Sequence, residues 1–400
     1  MNFNEVCPQL SKDVHIKHVE KDKYILSQRK YKYQFYINSR TKKLLELVDG
    51  KNSITDITKK YNQSSGINLA DDEVYNLLYT KFPEKGIILT DKQRPIVARK
   101  SASYLTLRLD LIKSSWLQWL KKFTNPFFKP KAFLTIFIAG LGYLLGMFFL
   151  ETLWFYEKPQ PIENINLSSV LLYILTTSVI HELGHALAVT SYGLKAGNIG
   201  FGFYLFSPVL YTDVSEVWAL PLKKRILVNL AGMYAETIFL VLLSILPQMQ
   251  AIIPHLIVIY FARLLINSIP FLRFDGYWIL SDITGYPNLN SKGAKHFVMI
   301  LKAFLTGKIK QVKFQAFLFF YGMINLLMII LFLVLIISMI ESFINFPTKL
   351  YQFINGDITL KNITAGIFVY EYFFPLAFYF ITIKWLLEQA LKYTKRLKFK

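Results

Sequence analysis

The feature that most constrains this chain is a series of long apolar runs beginning at Ala132. Each is about 20 residues long, the length a helix needs to cross the hydrocarbon core of a bilayer. Six such runs are predicted spans: Ala132–Leu150, Leu167–Tyr192, Ile226–Leu246, Ile252–Leu272, Ala316–Ile340 and Ile363–Ile383. Backbone inside lipid must satisfy its own hydrogen bonds, so these runs are read as helices. Before Ala132 the chain is polar and charged, and only the later part carries the excess that brings the whole to 53% hydrophobic. The expected fold class is mostly α: a six-span helical membrane core preceded by a small N-terminal α+β domain.

The formal charge of +20 would suit a nucleic-acid partner in a soluble protein, but its placement argues against one. Basic residues precede the first span (Lys121, Lys122, Lys129, Lys131) and the third (Lys223, Lys224, Arg225), follow the fourth (Lys292, Lys295, Lys302, Lys308, Lys310, Lys313) and fill the tail (Lys392, Lys395, Arg396, Lys398, Lys400). The intervening loops, Phe155–Asn166 and Pro247–Ala251 among them, are not basic. Positively charged loops stay in the cytosol, so the alternation predicts a multi-pass protein of the cell membrane with N- and C-termini both cytosolic. The first residues lack the apolar stretch of a signal peptide, which agrees with a cytosolic soluble part. Ser114–Phe128 mixes Trp116, Trp119, Lys121 and Lys122 with Leu and Phe, the composition of a helix lying in the membrane interface.

The second run contains the string TSVIHELGHALAV. His181 and His185 are four apart, so a helix places both imidazoles on one face, where they can grip one tetrahedral zinc ion (Zn2+). Glu182, beside the first, can take a proton from a water that zinc acidifies to a pKa of about 7 and pass it to a leaving amine. Ionisable groups in the middle of a spanning helix are costly and mark function. Cys7 is the only cysteine, which excludes a thiolate zinc site and an internal disulfide. A hydrolytic site needs a third protein ligand and an open position. Asp275, in INSIPFLRFDGYW, is the best candidate, because Pro270 interrupts the helix and Gly276 frees the backbone after the carboxylate. Asp213, Glu236 and Asp282 compete with it, whereas His255 and His296 are poorly placed. Glu236 and Arg263 fall at similar depth in neighbouring spans and are read as a buried ion pair.

His181–His185 as HELGH, followed by Asn267, Pro270, Asp275 and Gly276 as Asn–x–x–Pro–x–x–x–x–Asp–Gly, resembles the site-2 protease family of intramembrane zinc metalloproteases. The resemblance covers roughly residues 167–282. It implies His181, His185 and Asp275 as metal ligands, Glu182 as catalytic base and Asn267 as a catalytic group on the substrate-positioning or oxyanion side. NLAGMYAE at Asn229–Glu236 resembles the same family's Asn–Leu–Ala–Gly–Pro helix, with Met233 in place of the proline. The stretch AGNIGFGFYLFSPVLYTDV suggests short strands, which in that family lie beside the active site and can pair with an extended substrate.

In the N-terminal part, Lys23–Gln28 and Lys32–Asn38 read as strands, and helices are expected to open near Ser39, Ser53 and Asp71. The strings YQFYINSRTKKLLELVDGKNSITDI and EVYNLLYTKFPEKGIIL resemble a PqqD-like, winged-helix-like peptide-recognition domain. The expected division is 1–95 for that domain, 96–131 for a linker and the interfacial helix, and 132–400 for the membrane metalloprotease domain. Together the halves resemble peptide zinc metalloproteases of modified-peptide (epipeptide-type) biosynthesis. That resemblance implies a precursor-peptide substrate, a lipid membrane and, as partners, a peptide exporter and a peptide-modifying enzyme, with no nucleic acid. The alternatives are a site-2-type protease acting on a single-pass regulator such as an anti-sigma factor, and a non-catalytic transport or immunity protein.

Overall fold

The computed structural model describes residues 3–20, 22–28, 30–31, 33–89, 105–157, 167–204, 207–250 and 252–355, with a few positions between 372 and 383. Two compact units divide the chain, one of Met1–Ser103 with Ser215–Pro221 and one of Tyr104–Val214 with Leu222–Lys400.

The first unit contains β1 (Gln9–Leu10), β2 (Val14–Glu20), β3 (Lys23–Gln28), β4 (Tyr33–Ile37), α1 (Ser39–Glu46), α2 (Ile54–Ser65), α3 (Asp71–Asn76) and β5 (Ile88–Leu89). β2, β3 and β4 form an antiparallel sheet in that order, and β1 pairs with β5. β1, β2 and β5 are not anticipated from the sequence: β1 and β5 are two residues each, too short for a strand pattern, and β2 alternates only at Val14 and Ile16 before Val19 breaks the period. The cap of α1 is Asn38 rather than Ser39, its side chain accepting the Thr41 N–H at 2.9 Å. Ser53 caps α2 and forms a capping box with Asp56, and the helix stops at Gly66 with φ of 66°. The apolar faces of these helices bury Leu44, Leu45, Ile54, Ile57 and Val74 against Leu26 of the sheet, joined by Leu78 just after α3.

The second unit contains β6 (Leu105–Ile112), α4 (Ser114–Thr124), α5 (Pro130–Glu157), α6 (Leu167–Ser191), β7 (Ile199–Tyr204), β8 (Ser207–Thr212), α7 (Leu222–Ser244), α8 (Ile253–Ser268), α9 (Asp275–Thr284), α10 (Leu289–Leu305), α11 (Ala316–Ser338) and α12 (Ile340–Ile354). Among the described residues four helices are long and apolar enough to span a membrane, within α5, α6, α7 and α11. The fourth expected span is the shorter α8, which has 16 residues because Pro270 ends the run early. The sixth, Ile363–Ile383, lies almost wholly outside the described residues. α10 and α12, not anticipated as helices, follow the fourth and fifth expected spans.

Burial ranks these helices. Of the span in α7, 56% is buried, against 17% for those in α5 and α11, so α7 is the central element. The outer surface of α11 leaves Leu326, Leu327, Ile330, Leu331 and Val334 exposed, a face that suits lipid rather than water. α6 lies against α7 where Gly184 meets the backbone of Ala231 so closely that any side chain at 184 would collide with it. β6, placed in the expected linker, instead joins β7 and β8 in a three-stranded antiparallel sheet. Tyr211 and Asn198 both donate to the Asp110 carboxylate, at 3.2 and 2.9 Å, which fastens β6 to that sheet.

Candidate metal centre

α6 continues unbroken through His181–His185, so the four-residue spacing puts both rings on the face turned to α7. His181 and His185 are both buried. Asp275 arrives from another direction. α8 stops at Ser268, the chain turns through Pro270, and α9 begins at Asp275. Gly276 packs onto the backbone of Ser268 with no room for a side chain, which lets the first turn of α9 fold back onto the end of α8. Tyr204 at the end of β7 steadies the approach: its hydroxyl accepts the Arg273 N–H at 3.1 Å, and its ring meets Phe274 edge-on at 5.8 Å. Asp275 also sits in the first turn of α9, where the helix dipole favours a carboxylate.

One ligand atom from each of His181, His185 and Asp275 lies within 4.8 Å of the others. The two Nε2 atoms are 3.1 Å apart, and the Asp275 carboxylate oxygens lie 3.0 Å from His181 Nε2 and 3.3 Å from His185 Nε2. The other nitrogen of each ring assigns its proton. His185 Nδ1 lies 2.7 Å from the Val228 carbonyl, which can only accept, so Nδ1 carries the hydrogen. His181 Nδ1 lies 3.0 Å from the Glu236 carboxylate, with the same consequence. In the neutral rings both Nε2 atoms therefore present lone pairs to each other and to a carboxylate. Three acceptors converging without a donor repel, and a cation between them removes the conflict. The donor set, two imidazoles and one carboxylate, suits zinc. Asp275 is less deeply buried than the two histidines, with 14% of its side chain exposed.

Glu182 is half-buried on the next position of α6, and its carbonyl accepts the Thr212 hydroxyl at 3.0 Å, so β8 runs beside the histidine helix. Asn267 is half-buried on the last turn of α8, and among the described residues its side chain makes no hydrogen bond to the three converging groups. None of the rival ligands joins them. Asp213 follows β8, its backbone paired with Gly197 and Asn198. Asp282 reaches α7, where Asn229 donates to it at 3.1 Å and Arg225 lies 3.2 Å away. Burial pushes its carboxyl up to about 6, against the pull of the Arg225 guanidinium and the Asn229 amide. His296 lies on α10, its Nε2 accepting the Gln315 N–H, and His255 lies on α8. Glu236 does pair with Arg263, at 2.7 Å, and it also holds His181.

Sequence reading does not place Tyr204 at the site, and it leaves Gly232 evenly between helix packing and support of the site. A side chain at 232 would run into the His181 ring, so glycine there is what admits the imidazole between α6 and α7. The small-residue run Ala231-Gly232 was the available signal, but it pointed equally to ordinary helix packing.

No family model and no solved structure matches the chain. It is 24% identical over 240 residues to the "Putative peptide zinc metalloprotease protein YydH" of Bacillus subtilis (strain 168), an alignment spanning 58% of this chain and 88% of that protein.

Proposed function

We propose that this chain is a membrane-embedded zinc endopeptidase of the site-2 type that cuts a ribosomally made, modified precursor peptide near the cytosolic face. The observation that carries the reading is the convergence of His181, His185 and Asp275 on one point with both Nε2 lone pairs inward. The similarity to a protein named as a peptide zinc metalloprotease supports both the metal and the peptide substrate.

His181, His185 and Asp275 would hold a zinc ion, which would supply Lewis acidity toward a peptide carbonyl and toward a water molecule. The protein's own groups do the rest. His181 and His185 are held by Glu236 and the Val228 carbonyl, so their rings are oriented before any ligand arrives. Glu182 takes the proton of the attacking water and delivers it to the leaving amine. Asn267 orients the substrate from the last turn of α8. β8, adjacent to α6 through Thr212, offers an edge along which an extended peptide can be laid, as hydrolysis of a helical segment requires. The N-terminal unit, a β2-β3-β4 sheet with three helices, is read as PqqD-like, capturing the leader of the precursor as an added strand in the cytosol. An exporter and a modifying enzyme of the same pathway are its expected partners.

The test is zinc content and precursor cleavage for the purified wild type, Glu182→Gln and His185→Ala. Glu182→Gln is expected to keep zinc and lose cleavage by at least about 100-fold, as removal of a general base does, while His185→Ala loses both. A wild type without metal, or an active Glu182→Gln, returns the chain to a transport or immunity role.

A further inference from the structure

Glu236 makes two contacts of different kinds at one oxygen. Its Oε1 lies 2.7 Å from Arg263 Nη2 and 3.0 Å from His181 Nδ1. The residue is 1% exposed, at the centre of the most buried helix in the membrane unit. Arg263 is tied in turn to α6, its Nη1 donating to the Ser178 hydroxyl at 3.2 Å. Three helices thus meet at one carboxylate: α7 carries it, α8 supplies the cation, and α6 supplies both Ser178 and the histidine.

An ion pair serving only to hold α7 to α8 needs no third partner. A carboxylate aimed at the outer nitrogen of a metal-binding imidazole does something further. It keeps the proton on Nδ1 and fixes the ring's rotation, so that Nε2 faces the metal position. The two histidines differ in this respect, since His185 is held by a neutral backbone carbonyl and His181 by an anion. An isolated anion this deep would be strongly disfavoured, and Arg263 offsets that cost.

We propose that Glu236 is a positioning residue of the metal centre, orienting His181 toward zinc, and that Arg263, tied to α6 through Ser178, holds the Glu236 carboxylate in place against the ring. This rests on the zinc reading above. It separates two quantities that a purely structural pair would keep together: the stability of the metal-free protein depends on both charges, whereas zinc affinity depends on Glu236.

The experiment uses the full chain in detergent, with Glu236→Met, Arg263→Met, the double variant and Glu236→Gln. Thermal unfolding is measured without metal, zinc affinity by competition with a chromophoric chelator, and ligand geometry from the visible spectrum of the cobalt-loaded protein. Each methionine single variant is expected to unfold at lower temperature than the wild type, because it strands one buried charge. The double variant is expected to recover most of that loss while still binding zinc about 10–100-fold more weakly than the wild type. Glu236→Gln, which keeps the shape and one acceptor oxygen, is expected to fold, bind zinc more weakly and show an altered cobalt spectrum. Wild-type zinc affinity in the double variant, or a wild-type affinity and cobalt spectrum in Glu236→Gln, overturns the positioning role while leaving the zinc site standing. A wild type that binds no zinc overturns the metalloprotease reading and this inference together.

Discussion

At the scale of single residues, the metal centre depends as much on what is missing as on what is present. Gly232 faces the His181 ring with no space for even a methyl group, whereas Gly142 on α5 has nothing within 4 Å of where a side chain would begin. Alanine raises helix propensity by about 1 kcal/mol relative to glycine at either position. Gly142→Ala is therefore expected to leave zinc binding unchanged and raise thermal stability slightly. Gly232→Ala is expected to lower zinc affinity at least about tenfold despite its better propensity, because His181 must move off its outer partner. Chelator competition on the two variants side by side checks this, and equal affinities would show that the ring has room to spare.

Among the elements, α9 matters most, because it delivers Asp275. Two turns further along, Asp282 anchors it to α7 through Arg225 and Asn229. Its carboxyl is pushed up to about 6, so the buried charge costs more than Arg225 returns. A group with a raised folded-state pKa contributes stability that is complete below its ordinary carboxylate value and is lost as pH rises through the raised one. Here the window runs from about 4 to about 6; at 1.4 kcal/mol per pKa unit the whole loss is about 3 kcal/mol, of which about 2 kcal/mol falls above pH 4.5. Asp282→Asn mimics the protonated form at every pH. The variant is expected to gain thermal stability relative to the wild type as pH is raised from 4.5 to 7.5, by roughly that amount. A difference that stays flat across this range would mean the carboxylate is fully compensated in place.

Viewed whole, the chain has a charge pattern from which we propose that both termini face the cytosol. Cys7, the only cysteine, is exposed in the N-terminal unit and serves as a built-in reporter. A membrane-impermeant maleimide is expected to label it in inside-out vesicles and to leave it untouched in sealed right-side-out ones. Labelling only in the right-side-out preparation would place the N-terminal unit outside and end the proposal of a cytosolic leader-binding step.

The parts of this protein that were legible in the linear chain are those whose physics is local. Apolar length marked helices able to span a membrane, because each satisfies its backbone internally. Spacing of four put His181 and His185 on one face of α6 because a single helix carries both. Pro270 and Gly276 announced a break ahead of Asp275 for equally local reasons. What stayed hidden depends on how separate helices meet. The direction in which the chain returns after that break is set by Gly276 closing on Ser268 and by Tyr204 of a distant strand. Glu236 could be paired with Arg263 by counting turns, but its approach to His181 follows from the close crossing of α6 and α7 at Gly184 and Ala231. The strand β6, in a stretch read as linker, does carry a local signal in the alternation of Leu105, Leu107, Leu109 and Leu111, but the strands it joins lie roughly 90 residues away and only the fold brings them to it. Ligand identity is thus a matter of side-chain chemistry at a fixed spacing, whereas ligand orientation is a matter of packing between elements, and packing exists only once the helices have assembled.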